Sequence, residues 1–153
     1  MLVLELIRPS VVNVGALGRI RFERGYYAYA GSARRGMKSR LSRHLAREKR
    51  KKWHIDWLTT RSDAAPVAVA ATARVGLECK TAGLLSARAE GQVKDFGCSD
   101  CECESHLAYF STAYALNLAL DGLKTFGFGG STPKTDKIPS GSAYERASSR
   151  GWS

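Results

Sequence analysis

Gly25-Tyr26-Tyr27-Ala28-Tyr29-Ala30-Gly31-Ser32-Ala33, running straight into a basic segment at 34–52, decides how this chain folds. Aromatic and small residues alternate from Tyr26 to Ala30, the pattern of a strand. Side chains two apart share a strand face, so Tyr27 and Tyr29 point the same way. Gly31-Ser32 breaks the strand. From there Met37, Leu41 and Leu45 recur every fourth residue, which predicts a helix with one buried stripe. Arg40, His44 and Arg47, flanked by Arg43 and Arg50, fall at helical spacing on the other face. Strand phenols and helix guanidiniums are thereby placed to converge on one phosphate.

The 153 residues suffice for one domain with a hydrophobic core and are too few for two. The net charge is +10, and segment 34–52 alone holds ten Lys and Arg against the single acid Glu48. A charge focused in this way reads as a polyanion-binding face, with Arg34, Arg35, Lys38, Arg43, Arg47 and Arg50 as the phosphate contacts. A solvated basic helix and a patch for anionic membrane are the alternatives. No apolar run reaches the length of a membrane span, and residues 2–7, which carry Glu5, read as a strand rather than a signal peptide. Four cysteines without an export signal point to the cytoplasm, where thiols are metal ligands or free rather than paired.

In chain order, the run 2–7 ended by Pro9, the alternating Arg19-Ile20-Arg21-Phe22 and the tyrosine strand suggest a meander. Trp53-His54-Ile55-Asp56-Trp57-Leu58 continues the helical rhythm, with both tryptophans in the core and Asp56 tying down the helix end. A strand at 66–71, a helix at 78–89, an irregular loop at 96–103, a strand at 105–110 and a helix at 112–123 follow. From residue 124 the composition shifts to Gly, Ser, Thr and Pro, so a domain at 1–123 and a loosely ordered tail at 124–153 are expected. There is no internal repeat and no nucleotide-binding glycine signature.

Cys101-x-Cys103-x-x-His106, completed by Cys98 just upstream or by Cys79 from another helix, offers the four soft ligands that a structural Zn²⁺ takes. One residue rather than two separates the paired cysteines, so packing or free thiols remain the other reading. His106 by itself reads as an interior histidine.

Tyr29-Ala30-Gly31-Ser32-Ala33, with Arg40 and His44 on the following helix, resembles the second half of the core motif of the GIY-YIG nuclease superfamily. Trp53-His54-Ile55-Asp56 and the run from Gly97-Cys98-Ser99-Asp100-Cys101 to Ser105-His106-Leu107 look like a small uncharacterised branch of it, sometimes fused to endonuclease III type DNA glycosylases. The match covers about residues 1–110. The resemblance implies an α/β domain whose small sheet has a three-stranded antiparallel core flanked by helices. It also implies a divalent-metal-dependent endonuclease acting on structured or damaged DNA in repair or recombination, with a repair protein as a further partner and DNA preferred to RNA.

Carried over, Tyr29 would orient water or phosphate, and Arg40 would stabilise charge on the scissile phosphate. His44 would assist proton transfer, and Glu78 would hold Mg²⁺ or Mn²⁺. A phenol acts as a base at neutral pH only where cations favour phenolate, a task that falls to Arg40. Two departures stand out. Ala30 replaces an isoleucine, and the Gly-x-Tyr of the superfamily's opening strand has no counterpart in Met1-Leu2-Val3-Leu4. Either the chain begins upstream, or Tyr27 substitutes as the catalytic phenol, or the protein is a non-catalytic nucleic-acid-binding module.

Overall fold

The structure is a computed structural model that describes residues 1–32, 36–72 and 76–124, without the Met37 side chain. Arg34, Arg35, the Met37 side chain of the expected stripe and, of the tail expected at 124–153, all but Lys124, which ends a helix, lie outside the described residues. The fold is mixed α/β. The described residues form seven strands, β1 (Leu2–Leu6), β2 (Ser10–Asn13), β3 (Arg19–Phe22), β4 (Gly25–Tyr29), β5 (Ala64–Val69), β6 (Gly91–Gln92) and β7 (Leu107–Phe110), and the helices α1 (Met37–Leu45), α2 (Asp56–Thr59), α3 (Glu78–Ser86) and α4 (Ala113–Lys124). The tyrosine strand β4 is the centre of a five-stranded sheet ordered β5-β1-β4-β7-β6, antiparallel at every pairing.

Alternation sorts the side chains onto two covered faces. Leu2, Leu4, Leu6, Tyr27, Tyr29 and Leu107 face one way, into a core shared with Phe22, Ile55, Leu58 and Phe96. Val3, Ala28, Ala108 and Phe110 face the other way, against Leu85 of α3 and Leu116, Ala119 and Leu123 of α4. Ala28 and Ala108 are register partners, and their small side chains let the helices approach the middle of the sheet. Burial on both faces is why β1 is apolar at every position but Glu5, which is half-buried. Leu4 and Leu6 are each 1% exposed, and burial of such a side chain contributes roughly 1.5–3 kcal/mol.

The expected meander is not formed. β1 pairs directly with β4, Leu2 opposite Tyr29 and Leu4 opposite Tyr27, while β2 and β3 form a separate hairpin inserted between them. That hairpin folds Val12 and Phe22 over the tyrosine face, giving it an apolar cover that the edge of the sheet would not supply. The strand expected at 66–71 runs earlier, from Ala64, and Pro66 is tolerated because β5 is an edge strand. β2 and β6 are additions to the expected set.

Two expectations for the basic helix also change. Leu45 is 44% exposed and Leu41 half-buried, whereas His44 is buried, so α1 turns a histidine rather than a leucine stripe to the core. The helix stops at Leu45, leaving Arg47 and Arg50 on irregular chain, and the rhythm at 53–58 yields only the single turn α2. Lys49 caps the stop: its ammonium donates to the carbonyls of Arg43 and His44, at 2.8 and 2.9 Å, which the helix end leaves short of partners. Continuing the helix would also stack Arg43 on Arg47 and Arg47 on Lys51, each a repulsive pair one turn apart. Among the described residues no helix is long and apolar enough to cross a membrane.

Candidate functional site

Tyr29 ends β4 beneath α1 and is 5% exposed. The His44 and Phe96 rings meet it edge-on, each with centroids 6.2 Å away. Two glycines close on its ring: a Cβ at Gly31 would lie 2.8 Å from Cε1, and one at Gly97, where φ is +75°, would lie 2.7 Å from Cε2. Only glycine fits at either position, which gives the Gly of Tyr-Ala-Gly a physical reason. Burial raises the Tyr29 pKa and outweighs the downward pull of the neighbouring Arg40 guanidinium. The expectation that Arg40 makes a phenolate is therefore corrected: Tyr29 is a neutral phenol at neutral pH.

Tyr27 shares the face of Tyr29, but its hydroxyl donates to the Glu23 carbonyl at 2.8 Å. Its ring packs against Phe22 and, 5.1 Å away, Tyr109, and burial raises its pKa as well.

Arg40 lies over the Trp53 ring at 4.5 Å, and its buried Nε has no hydrogen-bond partner among the described residues. His44 is 7% exposed. Burial first, then the charge of Arg40, lowers its pKa to about 4, with Asp56 opposing and Lys49 and Arg43 adding to the shift. Its Nδ1 stands 3.9 Å from Asp56 Oδ1, and neither atom has a hydrogen-bond partner among the described residues.

Asp56 is the residue that the sequence undervalued. It ties the entry to α2 as expected, because Oδ2 accepts the backbone N–H groups of Lys52 and Trp53 at 2.8 and 3.0 Å. The same oxygen accepts from Arg43 at 2.6 Å, and Lys49 Nζ lies 3.7 Å from Oδ1. A fully buried carboxylate thus gathers two cations and faces a histidine. Its signal was its position, the first acid after four consecutive cations at 49–52.

The expected phosphate contacts divide accordingly. Arg43 is engaged with Asp56 and with the Arg50 carbonyl, and Arg47 donates to the carbonyls of Arg61 and Ala64. Lys38 and Arg50 are exposed. Glu78 opens α3, half-buried, and its charge acts on His106, whereas the charged neighbours of Tyr29 are Arg40, Asp56 and Asp100.

Cys79, Cys101, Cys103 and His106 come together, all four donor atoms lying within 4.8 Å of one another. Of the two completions the sequence left open, the structure takes Cys79, and Cys98 turns its thiol to the Glu104 carbonyl. No disulfide links the four cysteines. The neighbouring Cys103 thiol, then burial, then Cys101, pushes the Cys79 thiol up to about 12. Burial lowers the His106 pKa, leaving a neutral imidazole able to bind a cation. The cluster can hold a metal such as zinc.

One family profile, described as domain of unknown function DUF123, matches residues 1–125. The chain belongs to the DUF123 family. No curated protein and no solved structure matches it. The matched residues take in every strand and helix described above and both clusters. In chemical terms this DUF123 domain presents a neutral phenol, a neutral imidazole and a guanidinium with an unmet N–H in one place, and a soft-metal donor set in another.

Proposed function

We propose that this DUF123 domain binds structured DNA and cleaves its phosphodiester bonds with a divalent metal, as a GIY-YIG-type endonuclease serving repair or recombination. The observation that carries the reading is the buried, unpartnered Nε of Arg40 beside Tyr29 and His44. A buried N–H without an acceptor costs roughly 1–3 kcal/mol, and a phosphate oxygen relieves that cost with the geometry a guanidinium prefers. Tyr29 donates a hydrogen bond to phosphate or water, and neutral His44 accepts a proton from the attacking water. An anion beside Arg40 offsets the charge that holds the His44 pKa down, so substrate makes the imidazole a better base.

Glu78 would hold Mg²⁺ or Mn²⁺. One carboxylate, completed by waters and substrate phosphates, is an ordinary way to hold Mg²⁺, and the metal would supply Lewis-acid stabilisation of the phosphoryl oxygens. The thiol cluster takes no part in this chemistry.

A non-catalytic nucleic-acid-binding module is the second reading. It is favoured by the Tyr27 hydroxyl, which is engaged with a backbone carbonyl, and by Glu78, whose charge acts on the thiol cluster. Nicking of flapped and branched DNA with Mg²⁺ or Mn²⁺ separates the two. On the nuclease reading Glu78→Ala abolishes nicking and Tyr29→Phe reduces it, both with binding kept. Binding without nicking in the unaltered chain leaves the module.

A further inference from the structure

The donor atoms of Cys79, Cys101, Cys103 and His106 already stand close to the spacing that a tetrahedral metal imposes. A zinc ion with Zn–S of about 2.3 Å and Zn–N of about 2.0 Å holds its sulfurs about 3.8 Å apart and sulfur from nitrogen about 3.5 Å apart. Cys101 Sγ and His106 Nε2 are 3.4 Å apart, and no pair among the four exceeds 4.8 Å. Three soft sulfur donors with one imidazole suit zinc over hard cations. Cysteines that only filled space would not need their sulfurs turned to one point beside an imidazole nitrogen, and Cys98, in the same loop, is not so turned.

The cluster also has a definite place in the fold. Three donors lie on loop 95–106 and its exit, while Cys79 comes from the first turn of α3. The loop is the wall of the Tyr29 pocket: Gly97 presses on the phenol ring, Phe96 meets it edge-on, and the His106 carbonyl accepts the Ala30 N–H at 2.9 Å. Within the loop, Asp95 N–H donates to Glu104 and His106 N–H to Phe96, both at 2.8 Å, beside the one-turn contact of Cys101 with Cys98, the Cys98 thiol on the Glu104 carbonyl and the Cys101–His106 contact. Gly97 N–H reaches out to His54 Nδ1 at 3.0 Å.

We propose that Cys79, Cys101, Cys103 and His106 bind one zinc ion, and that this ion ties the loop to α3 so that Gly97 and Phe96 stay seated on Tyr29. The zinc is a strut. The proposal goes beyond the cleavage reading and stands without it.

The test uses the full chain purified without chelator. Metal analysis should find about one zinc per chain, kept in Cys98→Ser and lost in Cys79→Ser and Cys103→Ser. Replacing zinc by Co²⁺ in the unaltered chain should give the intense thiolate-to-cobalt absorption of a tetrahedral site, which does not depend on any variant folding. Chelation should speed amide exchange at Ala30 and Gly97 and lower the melting temperature. A zinc-free protein with four reactive thiols, an unchanged melting temperature after chelation and no cobalt absorption overturns the site. Zinc retained in Cys79→Ser overturns the ligand set, and zinc bound with unchanged exchange at Ala30 and Gly97 overturns the strut.

Discussion

Acid should unfold this protein through His44 before most of its other groups respond. His44 is 7% exposed, and its pKa falls from the ordinary 6.5 to about 4 in the folded chain. Between those values the unfolded chain binds a proton that the folded chain does not, so stability is full above pH 6.5 and falls as pH drops toward 4. Proton linkage at pH ~4.5, where the unfolded histidine is almost wholly charged and the folded one mostly neutral, removes about 2.5 kcal/mol relative to pH ~7.5. Carboxylates titrate in the same range, so the quantity to measure is a difference. Urea unfolding of the unaltered chain and of His44→Gln at both pH values cancels the shared carboxylate contribution. The unaltered chain should lose about 2.5 kcal/mol more than the variant. Equal losses in the two would refute a neutral, buried His44 and with it the imidazole's availability as a base.

Other outcomes follow from the same geometry. Gly97→Ala puts a Cβ against Tyr29 Cε2 at a left-handed φ of +75°, and should cost about 2 kcal/mol or more in thermal or urea unfolding. Asp56→Ala leaves Arg43 and Lys49 gathered without their anion and frees the entry to α2, which should cost about 3–5 kcal/mol by urea unfolding. Reversing Lys38 and Arg50 to glutamate should weaken DNA binding across sequences and flatten its salt dependence without lowering the melting temperature, since both are exposed. The same reversal at Arg43 and Arg47 should lower the melting temperature, because those guanidiniums hold Asp56 and the carbonyls of Arg61 and Ala64.

How much of this was legible in the sequence depends on which forces leave a periodic trace. The alternation at 26–30 placed β4, and with it the pairing of Tyr29 with α1, because a sheet covered on both faces fixes side-chain direction at every residue. The hairpin of β2 and β3 left a weaker trace. β3 shows in the alternation of Arg19 to Phe22, which its burial follows, whereas in β2 Val11 is exposed beside buried Val12, so polarity there does not track burial. In α1 the apolar spacing was real but misleading: a histidine facing Asp56 took the buried position that Leu45 was expected to fill. Periodicity counts residue types and is blind to a buried carboxylate on another element. The choice of Cys79 over Cys98 was equally a matter of tertiary placement, since it rests on α3 reaching a loop more than twenty residues further on.

On the proposed reading Arg40 takes up charge on a scissile phosphate rather than merely adding to a basic surface. The direct measurement is Mg²⁺-dependent nicking of a flapped DNA by Arg40→Ala, read beside its affinity for the same DNA at fixed salt. Nicking should fall by a factor of about 100 or more while affinity changes by less than about tenfold, because the exposed cations still neutralise phosphates. Nicking and affinity falling together would make Arg40 one surface charge among many. Nicking unchanged would contradict the site.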